Sequence, residues 1–335
     1  MPGGSARPPG IFPEMEEWDM PALVTHYEFA LRVFSKLKKA GIEVADREAA
    51  LIGAQGPDIF FFHRVLPWEP GQSCVAAGQK LHRISPARLF EEFRRVLRAE
   101  RRQPDRMLGY VEGFFCHYAL DRAAHPYILW AQKELEKADP GYGKNAHQYH
   151  FRIESALDTL TLRRESGRLI RDFKLQAVLP KDHDGLYLAV GRLYQPVLSR
   201  LFGMDVPAEH LARAPGDMRH ALFFMTDRSM LRQKLLFRPV EKLTRGGHFA
   251  TSLLRPLNTG DWDYANERHA EWKNPFDEDY TSTDSFFDLY DLAANEAADM
   301  IVEFVGALSG DRSMQEITQD RGFSSDLPGV YELKD

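Results

Sequence analysis

Cysteine is nearly missing from this chain, with only Cys74 and Cys116 in 335 residues. Two thiols cannot make a disulfide framework, and a reducing compartment suits such a composition. Long apolar runs are lacking too. No stretch approaches the ~18 residues of a membrane span. The opening Met1-Pro-Gly-Gly-Ser-Ala-Arg-Pro-Pro-Gly carries no hydrophobic segment of the secretory kind. The expected location is therefore cytoplasmic. Sustained positive charge is also absent: the net charge is −6, and the densest basic run is Arg94-Arg95-Val-Leu-Arg98-Ala-Glu-Arg101-Arg102. That run reads as the solvated face of a helix, so nucleic acid is not the expected partner. Alternating apolar and polar residues, the mark of half-buried strands, form no convincing run, and no segment repeats.

What is present is a globular composition, 44% hydrophobic and 27% charged, enough for one large or two ordinary domains. The first nineteen residues are rich in proline and glycine and are expected to be disordered. Apolar periodicity predicts helices over Leu23 to Ala40 and, after an N-capping Asp46, to Leu51. Gly53-Ala-Gln-Gly56-Pro57-Asp58 breaks the pattern before the apolar Ile59-Phe60-Phe61-Phe62, and residues 64–80 read as loop around Pro67, Pro70 and Gly71. Pro86 to Arg102 reads as a charged helix and Arg106 to about Ala124 as a buried one. Pro126 should kink or end that helix near His125. Further helices are expected over His147 to Lys174 and near 184–202, 216–243 and 285–308. The fold class is all-α, with a disordered segment 1–19, a metal-binding helical region 20–178 and a helical C-terminal region 179–335 packed on it.

The chemistry concentrates in His117-Tyr-Ala-Leu-Asp121-Arg-Ala-Ala-His125. Residues four apart stack on one helical face, so two imidazoles and a carboxylate form half of a metal cage. His150-Phe-Arg-Ile-Glu154 offers a second His/carboxylate pair at the same spacing. Two such matches are about what 12 histidines and 49 acids yield by chance. Location carries the argument instead, because a carboxylate in a strongly apolar helix needs a cation or hydrogen bonds to stay charged. His82 is preferred to His63, and His150 to His147, which has Phe151 where His150 has Glu154. Cys116 faces elsewhere on its helix. His183, His210, His220, His248 and His269 are read as surface or packing residues, and the Phe60–Phe62 and Phe114/Phe115 clusters as core.

Taken in order, His26, Asp58, His82, His117, Asp121, His125, His150 and Glu154 form a set that resembles the zinc-dependent phospholipase C family. More distantly, it is similar to the single-strand-specific zinc nucleases of the same helical fold. The resemblance spans Pro21 to Thr159, and its most specific pieces are Gly56-Pro57-Asp58, His117-x-x-x-Asp121 with His125, and His150-x-x-x-Glu154. It implies a multi-helix zinc-hydrolase fold holding up to three zinc ions. Asp58, His82, His117 and Asp121 would hold the first, with Asp121 bridging, and His125, His150 and Glu154 the second. The third would take His26, Asp121 and an N-terminal amine. That amine is expected at Pro21, through translation from Met20 and removal of the methionine, since Glu16-Glu17-Trp18-Asp19 can be encoded by a ribosome-binding GAGGAG stretch.

The resemblance further implies a phosphoester or phosphodiester hydrolase, with phospholipid among the possible substrates. Asp58 would orient or deprotonate the attacking water. Lys80, Arg83 and Arg152 are candidates to touch phosphate. Other divalent metals suit the same donors. Two other readings stand beside this one: a single-strand nuclease-like hydrolase, and a non-catalytic binding or scaffolding protein with structural metals.

Overall fold

The computed structural model describes residues 22–64, 71–143, 146–226 and 254–331. It is 64% helix and 2% strand, which makes the class all-α. Pro21 and residues 1–19 lie outside the described residues, as do 227–253; the helix expected over 216–243 instead ends at Met225, where Thr226 turns extended.

Helix α1 (Leu23–Lys39) leads through a turn to α2 (Arg47–Gly53). Asp46 caps α2, its carboxylate accepting from the amides of Glu48 and Ala49. A short 3-10 helix follows over Gly56–Phe62. Next come α3 (Val75–His82), α4 (Pro86–Ala99), the 35-residue α5 (Pro104–Ala138) and α6 (Ala146–Ser166). Two 3-10 turns, Ile170–Asp172 and Leu175–Val178, lead to α7 (Leu186–Phe202), α8 (Ala208–Leu211) and α9 (Ala214–Met225). Strands β1 (Trp272–Lys273) and β2 (Thr281–Ser282) pair antiparallel before α10 (Phe286–Ala307) and α11 (Met314–Thr318).

Everything is arranged about α5. Helices α1, α2, α6, α7 and α10 all pack on it, and one continuous apolar core runs from Leu23 to Phe323. Its approach to α2 is backbone on backbone: a Cβ on Gly53 would sit 1.9 Å from the Tyr110 carbonyl oxygen, and one on Gly113 would sit 1.9 Å from that of Ala50. No helix among the described residues is long and apolar enough to cross a membrane.

Three expectations need correction. The helix does not end near His125; α5 continues through Pro126 to Ala138. The proline forfeits one helical hydrogen bond, a loss of about 3 kcal/mol. Beyond it, Tyr127, Ile128, Ala131 and Leu135 are buried, and each such burial contributes about 1.5–3 kcal/mol, so packing outweighs the break. Second, the loop read over 64–80 ends early, because Val75–His82 is helical. The Pro and Gly signals stop at Gly71, and Ser73 Oγ accepts from the Val75 amide where α3 begins. Third, α6 stops at Ser166 rather than Lys174, since Gly167 turns left-handed with φ 67°. The basic run on α4 also does more than meet water. Arg98 donates to the carbonyls of Ala307, Leu308 and Gly310, and Arg94 to that of Arg312, which closes the C-terminal end of α10.

Gly113→Ala is expected to cost about 2–3 kcal/mol through forced separation of α2 and α5. Gly306→Ala, whose Cβ meets nothing within 4 Å, should instead gain about 0.5–1 kcal/mol of helix propensity. Urea midpoints at unchanged m-value distinguish the two.

Candidate metal centre

The eight described candidates converge from five elements. Helix α5 supplies His117, Asp121 and His125; α1 supplies His26; the 3-10 helix supplies Asp58; α3 supplies His82; α6 supplies His150 and Glu154. Local chemistry fixes each arm. The Thr25 amide donates to Asp158 Oδ1 at 2.7 Å, and Asp158 is itself held by Arg255 at 2.7 Å, so the start of α1 is pinned beside α6. Asp58 follows the Gly56-Pro57 turn, whose carbonyl at Gly56 accepts from Tyr110 Oη at 3.0 Å. Gly56 has φ 52°, and a Cβ there would lie 2.2 Å from the His117 ring. No side chain is tolerated at that position, on both conformational and steric grounds.

Five residues make one buried cluster. His26 Nε2 lies 3.1 Å from Asp121 Oδ1, and His117 Nε2 lies 3.0 Å from Asp121 Oδ2. His82 Nε2 is 3.1 Å from Asp58 Oδ1 and 3.9 Å from Asp121 Oδ2, while His117 Nδ1 is 3.8 Å from Asp58 Oδ2. Ligand atoms of His26, Asp58 and His117, and again of His82, His117 and Asp121, come within 4.8 Å of one another. His82 is the least buried of the five, its side chain 17% exposed. A second set, His125, His150 and Glu154, adjoins it; His150 Nε2 lies 3.2 Å from Glu154 Oε1, and the two imidazoles stack with centroids 5.8 Å apart. His26 thus reaches Asp58 as well as the expected Asp121, while Pro21, the expected amine donor, lies outside the described residues.

The donor set fits a metal. Although His117 Nε2 is close to Asp121, neither nitrogen of this buried ring has an aligned hydrogen bond, and His26 Nδ1 is also buried without one. Buried polar atoms normally find partners, and nitrogens converging with carboxylates on common points suit a shared cation. Elsewhere the Nδ1 atoms are committed. His82 Nδ1 meets the Gly78 carbonyl at 2.8 Å, His125 Nδ1 that of Phe323 at 3.3 Å, and His150 Nδ1 the Gln132 Oε1 at 3.0 Å. Such bonds fix the tautomer and present Nε2 as the ligand.

Electrostatics agree. Burial would raise the Asp121 carboxyl, but His117, His125 and His26 hold it well below the ordinary carboxylate range. Burial alone would lower His82; the hydrogen bond and charge of Asp58, with Asp121 behind, push it up to about 9. His26 is raised against its burial by Asp121 and Asp58, whereas burial dominates at His117 and lowers it toward the neutral, ligating form.

Sequence reasoning missed several contributors. Phe323, fully buried, sets its ring 5.6 Å from His82 and 6.3 Å from His117, and its carbonyl holds His125. Nothing in a Gly-Phe-Ser-Ser stretch two hundred residues downstream signals that role. Gln132 carried a signal, since it lies seven residues beyond His125 on the same helix. Of the phosphate candidates, Arg152 is engaged by Tyr264 and Asp139, and Lys80 lies over Phe202.

A further set, His63, Cys74 and His210, brings donors within the same limit. His63 Nδ1 accepts from the Cys74 amide and Nε2 meets the His210 carbonyl, so both ring nitrogens are used. Burial, with His210, Arg64 and Arg213 nearby, lowers His63 to about 4, and burial pushes the Cys74 thiol up to about 11. Those surroundings repel a cation, and hydrogen bonding accounts for the set. Cys116 points its thiol at the Glu112 carbonyl, away from the cluster. No protein-family model, curated protein or solved structure matches this chain.

A pH dependence follows for metal-free protein. His82 and His26 have raised values, so their stabilisation is complete below 6.5, the ordinary histidine value, and is lost as pH climbs toward 9. Asp121 stabilises above 3.8, the ordinary aspartate value, and loses that contribution in more acid solution. The urea midpoint should fall between pH 6 and pH 9, and His82→Gln should flatten the slope. Metal-loaded protein should show the opposite trend, because ligation needs neutral imidazole.

Proposed function

We propose that this protein is a metal-dependent phosphoester hydrolase, of the type its ligand order resembles. The observation that carries the reading is Asp121, one carboxylate within contact distance of His26 and His117 and charge-coupled to His125 of the neighbouring set. A carboxylate shared by adjoining donor sets is what a bridged metal cluster requires, and zinc, iron or manganese suit nitrogen and oxygen donors without thiolate. Asp58, His82, His117, Asp121 and His26 would hold one part of the cluster and His125, His150 and Glu154 the other. Bound there, metals supply Lewis acidity, a more acidic water and stabilisation of charge developing on a phosphoryl group.

The chain's own residues divide the remaining work. Asp121 fixes the spacing of the two sets through α5. Asp58 turns one oxygen to His82 and the other toward His117, and so is placed to orient water or take its proton. Gly78, Phe323 and Gln132 keep three imidazoles in the ligating tautomer. Substrate approaches from the side of His82 and His125, the least buried of the eight. A purely structural metal is the competing reading. Structural sites are closed four-donor cages, whereas His125, His150 and Glu154 are three, which favours an open coordination position and catalysis.

Elemental mass spectrometry on chain beginning at Pro21 tests this. Wild type should carry two to three ions, about the stoichiometry of a bridged cluster, and Asp121→Asn should lose more than one. Wild type should also turn over a generic aryl phosphodiester, and Asp58→Asn should lower kcat by about 100-fold or more. Absence of stoichiometric metal from protein purified without chelator would sink the reading.

A further inference from the structure

The positive charge that this acidic chain does carry is not spread evenly. Between residues 163 and 174 the sequence reads Arg-Arg-Glu-Ser-Gly-Arg-Leu-Ile-Arg-Asp-Phe-Lys, four arginines and a lysine against two acids, on a chain of net charge −6. In the structure this segment is the end of α6 and the turn after it, and it lines a recess of about 150 Å³. Arg163, Arg168 and Arg171 line that recess together with Asn258 and Thr259 from a separate loop. Its volume corresponds to several water molecules, which is room for a phosphate group.

We propose that this recess binds a phosphate group, independently of the metal centre. The arginines are the first argument. Other guanidiniums nearby are paired: Arg32 of α1 with Glu165, Arg164 and Arg152 of α6 with Asp291 and Asp139, and Arg255 of the facing loop with Asp158. Among the described residues no carboxylate lies within ion-pair distance of Arg163 or Arg168; Arg168 lies over the Phe173 ring at 4.9 Å, its charge reaching Glu28, and Arg171 is 3.8 Å from Asp172. Three like charges gathered at one recess repel, and a shared anion relieves that repulsion while accepting their forked hydrogen bonds.

The second argument is that the opposite wall is built. The loop carrying Asn258 is anchored to α6 by the fully buried Asp158–Arg255 pair and by Thr159 Oγ1 donating to the Pro256 carbonyl at 2.9 Å. Asn258 Oδ1 accepts from the Gly260 amide at 3.0 Å, which leaves its NH₂ group as a donor, and Thr259 lines the same wall. Arg163 lies nine residues beyond Glu154 on α6, roughly 14 Å along the axis at 1.5 Å per residue. None of the eight metal-centre residues lines the recess, which is a separate site. Leu169 and Leu257, exposed by 44% and 43%, stand at its rim, so the phosphate it takes is either free or the headgroup of a lipid.

Titration calorimetry with inorganic phosphate, on chelator-treated full chain, reads the site without involving metal. Saturable binding is expected, weakened at least about tenfold in R163Q/R168Q/R171Q. The matched R88Q/R95Q/R312Q variant, which removes three charges from another face, should bind as wild type. Cosedimentation with phosphatidylcholine vesicles, with and without phosphatidic acid, separates the sources. Retention by phosphatidic acid vesicles alone, lost in the triple variant, assigns a lipid headgroup; saturable binding of soluble phosphate without vesicle retention assigns free phosphate. Should the triple variant fail to fold, R163Q and R168Q, which break no ion pair among the described residues, must each weaken binding. Failure of wild type to bind either ligand, or equal loss in the control variant, overturns the proposal and leaves the metal reading untouched.

Discussion

A buried carboxylate surrounded by imidazoles governs this structure. Asp121 is 4% exposed in the middle of the longest helix, and its charge is sustained by His117, His125 and His26. An unpaired ion at that depth would be too costly to keep; α5 supplies two of those histidines itself, and α1, which delivers His26, must meet it closely. Several backbone features serve that meeting. Gly53 and Gly113 let α2 lie directly on α5, which brings the Gly56 turn against the His117 ring, where no Cβ fits. Asp158 holds the start of α1 in place. The proline within α5 is tolerated because the helix must run on to present Gln132 to His150 and to bury the far turns.

The parts of this design that were legible in the sequence are those set by local spacing. His117, Asp121 and His125 at four-residue steps, and His150 with Glu154, announce a helical face before any fold is known. The capping Asp46 and the break at Gly56-Pro57-Asp58 are equally local. What escaped depends on contacts distant in sequence. Pro126 reads as a stop because its cost is local, about 3 kcal/mol, while the burial that overrides it comes from α6, α10 and β1. The helix Val75–His82 was hidden behind a dense group of Pro and Gly signals that ends just before it. Phe323, against His82 and His117, belongs to a segment with no periodicity to read.

Charge is divided between two places on α6. Its first half carries His150 and Glu154 toward the donor cluster, and its end carries Arg163 toward the arginine-lined recess. On the proposed readings one helix would serve a cation near its start and an anion at its end, while Asp158 and Thr159 tie its middle turns to α1 and to the 254–259 loop. The exposed arginines are screened by salt beyond about 8–10 Å, whereas the donor cluster is buried and keeps its field local to its own cavity of side chains. Each place can attract its own partner.

Metal-free and metal-loaded states are connected by the protons on the same histidines. Without metal, Asp58 and Asp121 keep His82 protonated up to about pH 9 and favour a proton on His26. These protons occupy the role a cation would fill, balancing the charge of two buried carboxylates. Binding of a divalent ion must displace them, so affinity rises with pH while the stability of the empty protein falls. His117 is the exception: burial already lowers it toward the neutral imidazole, and its ring is held tightly against Gly56. In the proposed metal site it would be the ligand already neutral before a metal binds. The cluster is thus ordered around one neutral imidazole and two carboxylates, with the proton-bearing histidines as the positions that would exchange a proton for a metal.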